Sequence, residues 1–198
     1  MPVKVKIVRI MAMFGTPSSI VGALMIFLSI TMSPEWTMNQ SISALGGGGF
    51  GSVVFESGLL MAGSMAMIFS AGLFEFSEKD FLGMLGSGGI LIYGISVSAL
   101  GLSLVDLGEF RGTLVYIIFF VVPVSLALLS IHLFKRGLTN YAVIGALASV
   151  ISLIPWVQGG PVTAIQELMV LIPFSVWQLA IGYHMYRLEP PLEEKEDF

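Results

Sequence analysis

The chain reads as an all-α, polytopic membrane protein, one bundle of six transmembrane helices with both termini in the cytoplasm. Three observations carry that reading. Of its 198 residues, 56% are hydrophobic and only 11% charged, against about 25% charged in an ordinary soluble domain. Such a chain cannot cover a water-facing surface, which excludes a soluble enzyme and a disordered segment. The charged residues also divide the sequence into uncharged runs of membrane-crossing length, because a helix rising about 1.5 Å per residue needs about 20 apolar residues to span about 30 Å. Finally, the runs are continuous and do not alternate, which sets aside a β-barrel.

The elements follow in order. The uncharged run Ile10–Pro34 predicts a first helix over 11–32. Its basic leader would suit a signal peptide, but the run exceeds a signal core of roughly 7–15 residues, so this helix is expected to remain as a span. Ser57–Phe74 lies between Glu56 and Glu75 and predicts a second helix over 53–75. The third is expected over 82–105 and the fourth over 113–134, with Pro123 inside it. The fifth is expected over 140–157 and the sixth over 164–186, with Pro173 inside it and Thr163 and Gln166 as a capping box at its start. The whole of 1–198 forms one integral domain, closed by an acidic tail at 188–198.

Orientation follows from the basic residues. Lys4, Lys6, Arg9, Lys79, Lys135, Arg136, Arg187 and Lys195 fall on one side, and Arg111 alone on the other. Basic residues favour the cytoplasmic face, which places the protein in the plasma membrane with N and C termini inside. Trp36 and Trp156 fall at outer helix ends, where interfacial anchors belong. Stripes such as Gly58, Ala62, Ala66 and Ser70 suit close helix packing, which replaces the hydrophobic effect in lipid.

Several chemistries are excluded or disfavoured. The net charge of −4 with nine basic residues gives no footing for nucleic acid. The absence of cysteine removes disulfides, thiolate metal sites and thiol nucleophiles. No Asp, Glu, Lys or Arg lies mid-membrane, which argues against a proton-coupled transporter. Gln178, Ser125 and Ser175 remain as polar core groups and read as helix-to-helix hydrogen bonds. His132 and His184 fall near cytoplasmic helix ends, away from the outer carboxylates. Gly46–Gly51 formally matches G-x-G-x-x-G, but no strand precedes it; it reads as a connector that lets the first outer loop fold back. No cofactor is implied.

The outer side carries Glu35, Glu56, Asp106, Glu109 and Glu167 against Arg111. Glu56, Asp106, Glu109, Arg111 and Glu167, with Ser43, are the candidate ligand-binding residues, because helix ends and short turns can bring them to one pocket. Oxygen ligands of this kind suit an outer-face cation such as Ca²⁺ or Mg²⁺, and paired carboxylates suit acid–base chemistry. The competing reading is structural: Glu56 and Glu167 fall in first helical turns, where the helix dipole favours negative charge.

The segment from Trp36 to Gly63 resembles the opening of a family of archaeal and bacterial membrane proteins catalogued as domain of unknown function 998. The resemblance rests on "SISALG" (Ser41–Gly46), on "FESGLLMAG" (Phe55–Gly63) and on "LVDLGEF" (Leu104–Phe110) before an aromatic helix. Where the family often carries a histidine after that connection, this chain has Arg111-Gly112-Thr113, so no histidine chemistry carries over. The resemblance implies a multi-helix membrane fold and an archaeal or bacterial source, and it assigns no activity.

The expected function is binding of a lipid or small ligand at an outer-facing acidic pocket, with membrane lipids as partners. A membrane-embedded hydrolase or lipid-modifying enzyme using the outer carboxylates is the chief alternative. A facilitator for a neutral solute is the third, and oligomerisation stays open.

Overall fold

The computed structural model describes residues 2–78, 80–102, 110–158 and 162–188. Every regular element among them is helical: α1 (Pro2–Ala12), α2 (Gly15–Thr31), α3 (Gly49–Phe76), α4 (Phe81–Leu100), α5 (Phe110–Lys135), α6 (Thr139–Gln158) and α7 (Ala164–Tyr186), with a short 3-10 turn at Ile42–Gly46. Six stretches are long and apolar enough to cross a membrane, and the first, Ile7–Thr31, runs from α1 through α2. By length and composition this is a multi-pass membrane protein.

The first span departs from the single helix expected over 11–32. It breaks at Met13-Phe14, between α1 and α2. Pro17 is the cause, since it has no N–H for the Met13 carbonyl four residues back and its ring crowds that carbonyl. The Phe14 N–H instead closes α1 through the tighter bond to Met11 O at 3.1 Å. α3 starts at Gly49, a turn earlier than expected, straight out of the glycine run. Gly48 and Gly49 have φ of +121° and +80°, backbone that glycine adopts freely.

Each helix from α2 to α7 packs on the next, and α7 returns to α2, so the ring closes. α1 lies against α3 and α7 with Val8 and Ala12 buried. Phe69, Ile90, Leu126, Leu129, Trp177 and Ile181 form the fully buried centre.

Most seams are tight. A Cβ on Gly63 of α3 would stand 2.6 Å from Ser98 N and 2.7 Å from Gly94 O of α4, so these two backbones touch. Two turns on, Ser70 Oγ donates to Ser87 O at 2.9 Å. The α5–α6 seam repairs a proline defect. Pro123 leaves Phe119 O without its usual helical donor. Trp156 Nε1 of α6 donates to that oxygen at 3.2 Å, and Ser149 Oγ donates to Pro123 O at 2.8 Å.

The two ends of the bundle differ in charge. The basic end holds Arg9, whose Nε donates to Tyr186 O at 2.9 Å, and Arg136, whose Nη1 donates to Phe76 O. There Asp80 caps α4 by accepting the Gly83 N–H at 3.0 Å, with Lys135 Nζ and His132 Nδ1 each at 3.5 Å. The Gly83 N–H, helped by those two neighbours, holds the Asp80 carboxyl below the usual carboxylate range. The opposite, acidic end holds Glu56, Arg111, Glu167 and the 42–46 turn.

Candidate functional site

The α2–α7 seam is the exception to tight packing, and it encloses a cavity of about 490 Å³. That volume lies within the range of ligand sites, roughly 300–1,000 Å³. The back wall comes from α3, α4 and α5 through Leu59, Ala62, Tyr93, Val97, Ile118 and Phe119. Gly22 and Ile26 of α2 face Leu168, Leu171 and Ser175 of α7 across it. Phe27, Ile172 and Val176 also line it and are exposed, so the mouth opens sideways between α2 and α7. On a membrane-spanning bundle, that direction is lipid.

Contacts hold the two ends of the seam on either side of the cavity. Near the basic end the helices close in: Ser19 Oγ of α2 donates to Gln178 Oε1 of α7 at 2.8 Å. A Cβ on Gly182 would already lie 3.3 Å from Ala12 O. At the acidic end the chain from Ser33 to Gly48 folds over the bundle and inserts Ile42 and Leu45. They are buried with Phe55 and Ala164 and pack against Ile26, Ile30, Leu168 and Leu171. Ile42 therefore belongs to an apolar cluster that draws on α2, α3 and α7. Together with Ser43 and Glu167 it roofs the cavity.

The charged residues hold this lid. Ala164 N–H donates to Gln40 O at 2.8 Å, and Glu167 accepts the Ile42 N–H through Oε2. At the other end of the turn, Arg111 Nη1 donates to Gly46 O at 3.3 Å and stands 3.9 Å from Glu56 Oε1. Within the lid, Trp36 Nε1 donates to Ser41 O at 2.9 Å, and the Ser41 and Ser43 hydroxyls share a hydrogen bond of 2.9 Å. Trp36 thus serves the lid cluster, whereas Trp156 stays half-exposed on α6.

The sequence-derived candidates separate into two groups. Ser43 and Glu167 meet at the cavity roof. Glu56 and Arg111 pair with each other, and neither lines the cavity. Asp106 and Glu109 lie outside the described residues. Glu56 is buried, and because α3 begins at Gly49 it lies two turns inside the helix, beyond reach of the helix dipole that an onset at 53 would have offered. Gln166 accepts the Thr163 N–H at 3.0 Å, as the capping box requires. Among the described residues no three His or acidic side chains converge on one point that could hold a metal ion.

Sequence reasoning did not place a cavity between α2 and α7. Gln178 stood out as an amide inside an apolar span, but its partner Ser19 is 159 residues away, and the place of Ile42 at the roof depends on how the loop folds. Comparison of the chain with protein-family models, curated proteins and solved structures gives no match.

Proposed function

We propose that this chain takes an apolar lipid chain sideways from the bilayer into the α2–α7 cleft and holds it beneath the 33–48 lid, as a binding protein without chemistry of its own. The observation that carries the reading is the lateral mouth between Phe27 and Ile172, opening an apolar cavity to the lipid-facing side. Engaged carboxylates add to it: Glu167 is spent on the Ile42 N–H and Glu56 is paired with Arg111. The positive-inside bias of the basic residues supports placing the lid outside the plasma membrane, with both termini cytoplasmic. The motifs around Ser41–Gly46 and Phe55–Gly63 support kinship with the domain of unknown function 998 family.

One observation favours a second reading. Ser43 and Glu167 adjoin each other at the roof, the arrangement on which a hydrolase using an outer carboxylate would depend.

Native mass spectrometry of the full chain in detergent tests both. The cleft reading expects wild-type protein to retain intact lipid and Ile26→Trp, which fills the cavity, to lose it with an unchanged melting temperature. Wild-type protein that carries no lipid contradicts the cleft reading. Retained lipid found only as cleavage product would move the choice to the hydrolase.

A further inference from the structure

The floor of the cavity holds an unused hydrogen-bond donor. Gln178 is only 1% exposed and lines the cavity beside Ser18 and Ser19. Its Oε1 accepts the Ser19 hydroxyl at 2.8 Å, while its Nε2 has no partner in the protein. Ser18 donates its hydroxyl to Ala62 O at 2.9 Å and is not a partner of Nε2. An amide nitrogen offers two N–H donors, and a buried donor left unpaired carries a desolvation penalty that no water relieves inside a bilayer. Trp177 Nε1 next to it is also unpartnered, but it faces Gly145 of α6 and does not line the cavity. Of the two, only Gln178 is among the residues that line the cavity.

We infer that Gln178 Nε2 is a donor subsite for a neutral oxygen of the cavity's occupant, so that the ligand is an apolar chain bearing an ester, ketone or hydroxyl oxygen and lies with that oxygen deep in the bundle. This rests on the cleft reading above. Eleven residues separate Glu167 from Gln178, which puts the subsite about 16 Å below the roof along α7. No Lys, Arg or His lines the cavity, so a phosphate or carboxylate at that depth would be a buried, unpaired charge. The chemistry that fits is a neutral acceptor. Ser19 fixes the amide's orientation by occupying Oε1 and leaving Nε2 as the free edge.

Two matched probes test this on the full chain in detergent, methyl hexadecanoate and hexadecane. Both are expected to bind the wild type. Gln178→Met, which keeps the side chain's length but removes its donors, is expected to weaken the ester roughly threefold to tenfold and leave the alkane unchanged. Equal effects on both probes, or none, would overturn the subsite while leaving the cleft reading intact. Failure of both probes to bind the wild type would overturn the cleft and the subsite together. Should Gln178→Met not fold, the infrared carbonyl band of the ester bound to wild-type protein decides: a shift below its position in alkane solution supports the subsite, and an unshifted band overturns it.

Discussion

The α3–α4 seam has glycines on both helices, whereas the α2–α7 seam sets small residues of α2 against mostly large aliphatics of α7, and one is shut while the other is open. At Gly63 and Gly94 the backbones of α3 and α4 meet with no room for a methyl group. At Gly22 of α2 a Cβ would find only Ala62 Cβ, at an ordinary 3.5 Å. Small residues therefore permit close approach without causing it. What separates the two seams is the connection above them. α3 and α4 are joined at the basic end by a short turn through Ser77 and Asp80, with Ser77 N–H bonded back to Leu73 O at 2.8 Å. α2 and α7 are neighbours only through ring closure, and the lid cluster of Ile42 and Leu45 draws on both.

Substituting the same residue type in both seams breaks or sharpens this contrast. Gly63→Ala is expected to have the largest effect, a loss of about 3 kcal/mol, because the new methyl meets backbone atoms that cannot yield; equilibrium unfolding in detergent micelles measures it. Glu167→Ala should cost about 2 kcal/mol by freeing the buried Ile42 N–H, and amide hydrogen exchange should accelerate at Ile42 and Leu45 while α4 stays protected. Gly22→Ala should stabilise by about 0.5 kcal/mol, since the methyl fits and the unfolded chain loses freedom. If Gly22→Ala were as damaging as Gly63→Ala, the two seams would be alike and the contrast would fail.

The smallest effect lies at Asp80, in the turn that joins α3 to α4 at the basic end. Its carboxyl is held below the usual range in the folded protein, so its contribution is present above the unfolded carboxylate value and is lost as pH falls through the lowered one. The protection of the Gly83 N–H against exchange should therefore fall only in acid, below about pH 4. In Asp80→Asn, which remains a capable cap, that acid dependence should vanish.

The six spans were legible because charge placement alone delimits them, and the capping box marked the start of α7. The break at Met13-Phe14 was not, since an uncharged run conceals the lost donor of Pro17. The acidic end was legible as a set of candidates but not as an arrangement. Glu167 and Ile42 meet across 125 residues, and Arg111 and Gly46 across 65. Only the folded lid brings those pairs together. Charged residues drew notice in the sequence, whereas Ile42, an aliphatic in a loop, lines the cavity beside Glu167.

The most direct test of the open seam uses photo-leucine, a near-isosteric replacement for leucine, incorporated throughout the chain and irradiated in native membranes. Lipid adducts mapped by mass spectrometry are expected at the outward-facing Leu24 and Leu147 on any account of the fold. The cleft adds Leu59, Leu100 and Leu171, which line the cavity, and leaves Leu126, Leu129 and Leu133 in the closed centre without lipid. Adducts at Leu59 and Leu100 are the predicted result. Adducts at Leu24 and Leu147 with none at Leu59, Leu100 or Leu171 would show a seam closed to the bilayer, and would contradict the lateral cleft.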